Sequence, residues 1–213
     1  MRILLFGHRG KVGEALGPAL LAAGHEVTGV GRGESADVAG AEAAVDFTEP
    51  GAVRANVERC LAAAIPCVVG TTGLDDDDFA AFQEQAHAAG VPCLVAPNFA
   101  VGAVLMMRFV EEAARLLPAA EIVEIHHESK RDAPSGTAKA TAARLAGDVA
   151  IHSVRLPGVV AHQEVLLGGP GELLTIRHDA FSREAFVPGV LLALDRLGDL
   201  PPGLTEGIEG LIA

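Results

Sequence analysis

Tryptophan and tyrosine are absent from this chain of 213 residues, and phenylalanine occurs only 8 times. A core must therefore be built mainly from Ala, Val, Leu and Ile, which the hydrophobic share of 50% supplies. Cysteine is scarce: Cys60, Cys67 and Cys93 are odd in number, lie among apolar residues and form no CxxC pair. That pattern argues against a disulfide framework and a zinc site, and reads as reduced core thiols. Positive charge is also short, with 16 Lys and Arg against 28 Asp and Glu and a net charge of −12. Nucleic acid and anionic membrane are poor partners for such a surface, because both reward basic patches. An anionic ligand would need a local cationic pocket, for which Arg9, Lys11 and Arg32, or His126, His127, Lys130 and Arg131, are the candidates. No long hydrophobic run occurs at the start; Met1–Gly7 is too short for a signal peptide or a membrane span, so a cytoplasmic protein is expected.

What is present is a repeating order. Residues 2–6 form an apolar run ending at Gly7, which suits a strand buried on both faces of a parallel sheet. Val12, Ala15, Leu16, Ala19, Leu20 and Ala23 then recur at helical spacing up to a stop at Gly24, with Pro18 expected to kink the helix. Strands at 26–30, 44–47, 66–70 and 92–95 alternate with helices near 50–63 and 75–89. The run Asp75–Asp78 suits the N-terminal end of a helix dipole better than a metal site. Residues 1–99 thus read as a doubly wound α/β domain. Beyond Asn98 the order changes to a helix at 103–116, a strand at 121–127, a helix at 137–146, strands at 152–156, 164–168 and 173–178, and a last helix at 184–197. That predicts a second, smaller α+β unit. There is no internal repeat and no low-complexity linker.

The turn Gly7-His8-Arg9-Gly10-Lys11-Val12-Gly13 follows the first strand, where backbone can approach a pyrophosphate at a helix start. Arg9 stands where the strict fingerprint has a second glycine, so a plain strand-to-helix turn is the competing reading. After the second strand, Gly31-Arg32-Gly33-Glu34 places an arginine where NAD enzymes carry an acid. Arg32 would suit the 2′-phosphate of NADPH, or it is a solvated loop residue while Glu34 swings in for NADH. Gly70-Thr71-Thr72-Gly73 and Ala96-Pro97-Asn98-Phe99 follow later strands at ends where ligands bind in open sheets; both are also ordinary turns.

The most informative stretch is Glu124-Ile125-His126-His127-Glu128-Ser129-Lys130-Arg131-Asp132-Ala133-Pro134-Ser135-Gly136-Thr137. Side chains alternate along a strand, so both histidines reach one cleft only if the strand ends there. Two imidazoles and Lys130 offer donors of different pKa for proton transfer and for holding a carboxylate. A zinc site is the rival, but Lys130 adds positive charge and no third ligand accompanies the pair. Ser135-Gly136-Thr137 opens the next helix, either as a carboxylate cradle or as a cap by Ser135.

These residues resemble the 4-hydroxy-tetrahydrodipicolinate reductase (dihydrodipicolinate reductase) family, an enzyme family of the diaminopimelate route to lysine. The resemblance rests on Glu124–Ala138, the glycine turn, the 70–73 and 96–99 loops, and His178-Asp179-Ala180-Phe181-Ser182-Arg183. It implies that His126 gives and takes a proton and that Lys130 is a second donor. His127, Gly136 and Thr137, with Ser135 beside them, would bind a small dicarboxylate. The cofactor, NADPH or NADH, would lie along Gly7, His8, Arg9, Gly10, Lys11 and Val12, on Gly70, Thr71 and Thr72, and on Ala96, Pro97, Asn98 and Phe99. No metal is implied. The resemblance further implies a Rossmann-type first domain to which residues 184–213 return, and a substrate domain over 100–183 that assembles a homotetramer. Other readings of the residues are a different dehydrogenase on the same scaffold, such as one acting on amino acids, or a nicotinamide-nucleotide sensor.

Overall fold

Each short apolar run of the first hundred residues becomes a strand, and each stretch of helical spacing a helix. The order is β1 (Arg2–Phe6), α1 (Gly13–Ala22), β2 (Glu26–Val30), β3 (Ala43–Asp46), α2 (Pro50–Ala62), β4 (Cys67–Val69), α3 (Asp76–Ala89) and β5 (Pro92–Val95). There follow α4 (Val101–Ala114), β6 (Ala119–His127), α5 (Gly136–Ala142), β7 (Ala150–Leu156), β8 (Ala161–Gly169), β9 (Glu172–Ala180), α6 (Val187–Arg196) and β10 (Gly203–Glu206). The structure is a computed structural model and describes residues 1–34 and 37–212. It divides into two units, Met1–Phe99 with Phe186–Ala213, and Ala100–Ala185.

In the first unit six parallel strands are ordered β10-β5-β4-β3-β1-β2. The order reverses between β1 and β3, which makes the carboxyl ends of those strands the switch point of a Rossmann-type sheet. Helix α2 packs beside α3 and α1 beside α6, as right-handed crossovers onto two faces require. Phe6, Val30, Val53, Val57, Leu61 and Phe82 form part of the buried core. All three cysteines are buried free thiols in this unit, with Cys67 and Cys93 register partners on β4 and β5.

Pro18 stands inside α1 without ending it, since the acceptor it leaves unused belongs to the first turn at exposed Glu14. The acidic run starts α3 through a capping box: Asp75 accepts from the Asp78 N–H while Asp78 accepts from the Asp75 N–H. The last helix does not begin at 184; a 3-10 turn over Arg183–Phe186 comes first, and Pro188 sets the start of α6. Strand β10 has no counterpart in the sequence reading.

The second unit is a mixed four-stranded sheet ordered β7-β6-β8-β9, parallel between β6 and β7 and antiparallel elsewhere, with α4 packed against β8 and β9. Helix α5 stops at Ala142 rather than continuing to 146. Leu145, whose spacing suggested the longer helix, is still buried, but from a turn. Among the described residues no helix is long and apolar enough to cross a membrane.

Candidate active site

In the first unit the glycine turn is built for close backbone approach. A Cβ on Gly7, whose φ is +79°, would run into the Phe47 carbonyl, and one on Gly13 would run into the Gly7 carbonyl. Helix α1 begins without a side-chain cap at Val12, the arrangement in which a phosphate satisfies the first N–H groups. A cavity of about 380 Å³ adjoins the turn, lined among others by Gly7, Arg9, Gly10, Arg32, Glu34 and Asn56. These features fit a dinucleotide.

The cavity's charges are arranged in pairs. Glu34 accepts from the Gly31 N–H at 2.8 Å and pairs with Arg9 at 2.9 Å. The Gly31 N–H first, and then Arg9 and His8, hold its carboxyl below the usual range. A Cβ on Gly31 would lie 3.0 Å from a Glu34 oxygen, so this carboxylate sits where a side chain at the end of β2 would begin. Arg32 is committed to Glu49 at 2.6 Å.

Not every residue of the expected nucleotide set offers its side chain. His8 packs its ring where a Cβ on Gly29 would stand, so it is packing for β2. Lys11 is exposed and Val12 half-buried in the turn before α1. The Thr71 hydroxyl is spent internally: it donates to buried Asp46 at 2.7 Å and accepts from the Thr48 N–H at 2.7 Å. Asp46 also accepts from the Thr48 hydroxyl and from Asn56, which ties the ends of β3 and β4 to α2. Gly70 faces the ring of Phe47, whose centroid is 5.5 Å from that of Phe99. Ala96 and Phe99 are buried, Asn98 is half-buried, and Thr72 and Pro97 are exposed on the same carboxyl edge of the sheet.

In the second unit β6 continues through His127, pairing His126 with Arg155 and His127 with Leu156 of β7. By alternation the two imidazoles leave opposite faces. His126 shares its face with Glu124, which is 0% exposed and bonded to His126 Nδ1. Arg155 grips the same carboxylate with both guanidinium N–H groups, and the Ser135 N–H reaches it at 3.3 Å. Burial opposes the charge on Glu124, but Arg155, Ser153 and His126 together lower its pKa to about 2. His126 is shifted down, by burial first and then by repulsion from Lys130 and Arg155, against the pull of Glu124.

His127 is exposed; its Nδ1 accepts from the Ser129 N–H at 3.1 Å, which leaves Nε2 as the N–H of the neutral ring. Lys130 pairs with Asp132 at 2.8 Å. The Ser135 hydroxyl accepts from the Ala138 N–H and caps α5, so both its polar groups are engaged within the protein. Gly136 is exposed, and half-buried Thr137 lends its carbonyl to the Thr141 hydroxyl at 2.8 Å. Sequence reasoning missed Glu124 and Arg155. An acid two residues before a strand histidine, and hence on its face, was the available signal for the first; nothing marked Arg155.

The two halves match two descriptions of one family: "Dihydrodipicolinate reductase, N-terminus" over residues 32–99 and "Dihydrodipicolinate reductase, C-terminus" over residues 102–210. The chain is 44% identical to the 4-hydroxy-tetrahydrodipicolinate reductase of Cutibacterium acnes, with 100% of this chain and 98% of the relative covered. It is 46% identical to that of Moorella thermoacetica over 80% of this chain and 73% of the relative. Among solved structures it is similar to the dipicolinate-bound dihydrodipicolinate reductase from Paenisporosarcina sp. TG-14, with a TM-score of 0.85 and 31% identity over 100% and 99% of the two chains. A nucleotide-fitting turn in one unit, a histidine and lysine pair in the other and relatives along the whole length lead to one assignment: the chain belongs to the dihydrodipicolinate reductase family.

Proposed function

We propose that this chain reduces 4-hydroxy-tetrahydrodipicolinate to tetrahydrodipicolinate with NADPH or NADH, releasing water, in the diaminopimelate route to lysine. The observation that carries the reading is His126 held against Glu124, which also takes the Ser135 N–H at the start of α5, with Lys130 on the loop between, in a chain that matches the family in both halves.

The nucleotide is held by the backbone of Gly7–Val12 and by the loops at Gly70–Thr72 and Ala96–Phe99; when bound, it supplies the hydride. Arg9 and Arg32 favour a 2′-phosphate once released from their carboxylates, and supply the lean toward NADPH. Glu34 in its present place favours ribose hydroxyls instead. The substrate's two carboxylates meet the backbone N–H groups of Gly136 and Thr137, with Ser135 shaping that turn from behind, and His127, which is the last residue of β6 and so is not held to the face opposite His126 by a continuing strand. Before binding, His126 is neutral, with its Nδ1–H directed to Glu124 and a lone pair at Nε2. A dianion beside it favours the imidazolium, so binding loads the proton that Nε2 then gives up. Lys130 is the second donor, and fixing the ring against both accounts for much of the acceleration.

The resemblance also supports a cytoplasmic homotetramer assembled through the second unit, and the exposed Leu173 and Leu174 on β9 favour burial of that strand. The deciding experiment follows reduced-nicotinamide absorbance with substrate made in place from pyruvate and aspartate semialdehyde by the preceding synthase. Oxidation that depends on the synthase product is the expected result; none from folded protein would reject the reading. Elution as a tetramer in size-exclusion chromatography tests the assembly.

A further inference from the structure

Three elements of the second unit meet on one carboxylate. Glu124 accepts from His126 on its own strand, from Arg155 on β7 at 2.8 and 2.9 Å, and from the Ser135 N–H at the start of α5. An ionised carboxylate only accepts, so His126 must carry its hydrogen on Nδ1 and present Nε2 outward. Arg155 also donates to the Asp132 carbonyl at 2.7 Å, and the Asp132 carboxylate is the partner of Lys130. One ion pair thus orients the imidazole, the loop that carries Lys130 and the first residue of α5. Apolar side chains of the same volume would stabilise a sheet interior as well as a buried ion pair does. What they could not do is choose a tautomer.

We propose that Glu124, clamped by Arg155, is a positioning residue of the reaction: it sets the tautomer of His126 and registers it with the Lys130 loop and the start of α5. This rests on the reductase reading, in which His126 moves a proton. The test uses the full chain and two readouts. The first is the 15N spectrum of the His126 ring in wild type and Glu124→Gln without substrate. The wild-type ring is expected as the Nδ1–H tautomer. A glutamine can turn its NH2 toward Nδ1, so the variant shifts toward Nε2–H. The second readout is kcat: Glu124→Gln lowers it at least about 10-fold with nucleotide affinity unchanged, on the scale of other orienting partners of histidine. In a His126→Ala background the same change costs clearly less than in wild type, because the imidazole, the main group it acts through, is gone.

A variant ring that keeps the Nδ1–H tautomer, or a loss in the His126→Ala background as large as in wild type, overturns the proposal. If Glu124→Gln fails to fold, Glu124→Asp keeps the charge facing Arg155 but withdraws it from His126, and the same readouts apply. The spectrum needs no substrate, so a wild-type chain without reductase activity would reject the reaction while the tautomer still decides the role of Glu124.

Discussion

Arg155 holds Glu124 by a two-pronged ion pair across parallel strands, with Nη1 2.9 Å from Oε2 and Nη2 2.8 Å from Oε1. The Glu124 carboxyl's pKa of about 2 in the folded chain lies below the unfolded value of about 4.3. The stabilisation this implies is fully present above about pH 4.5 and is lost as pH falls toward about 2; its size is roughly 3 kcal/mol. Glu124→Gln should therefore be less stable than wild type at pH 7, with the gap narrowing at pH 3. Urea unfolding at both values measures it, and a gap of equal size at both would remove the charge as its source.

His126 titrates below the usual histidine range because it is buried and faces Lys130 and Arg155. A bound dicarboxylate should raise that value, and so should Lys130→Ala. NMR titration of the ring with and without dipicolinate, the probe of the proposed site, checks the first; an unmoved or lowered pKa would take proton loading out of the mechanism.

Lys130→Ala should lower kcat by orders of magnitude while nucleotide affinity stays close to wild type, since Lys130 lies in the other unit from the glycine turn. Steady-state rates and fluorescence titration of the reduced nucleotide separate the two effects. Unchanged turnover would remove Lys130 from the reaction.

Glu34 and a 2′-phosphate would compete for the Gly31 N–H and Arg9. Glu34→Ala should tighten NADPH binding and weaken NADH binding, while Arg32→Ala shifts the ratio the other way. Calorimetry with each nucleotide reads the ratio; parallel changes for both would show that neither residue discriminates.

The doubly wound sheet was legible because its strands are continuous apolar runs and its helices carry regular spacing, as in Ile3–Phe6 and in Leu16 and Leu20 of α1. Strand β10 was not: Gly203-Leu204-Thr205-Glu206 has one large apolar residue and lies at a sheet edge, where burial imposes no strict pattern. In the second unit the segment from His126 to Thr137 stood out by its residue types. Arg155 did not, because its meaning depends on a register between strands 31 residues apart from Glu124. The hydroxyl of Thr71 looked available in sequence, and only the fold shows it turned to Asp46; Ser135 read as a cradle or a cap, and its hydroxyl caps α5 at the Ala138 N–H.

Strand β10 pairs with β5, and Gln83 on α3 accepts from the Leu204 N–H at 2.6 Å. The first unit is therefore a discontinuous assembly whose edge strand follows the second unit in sequence, while the second is one uninterrupted stretch. On the ribosome this inverts the order of completion. Ala100–Ala185 has all its parts once its own residues have emerged, whereas the earlier β1–β5 must wait for Gly203–Glu206 before their sheet has its sixth strand.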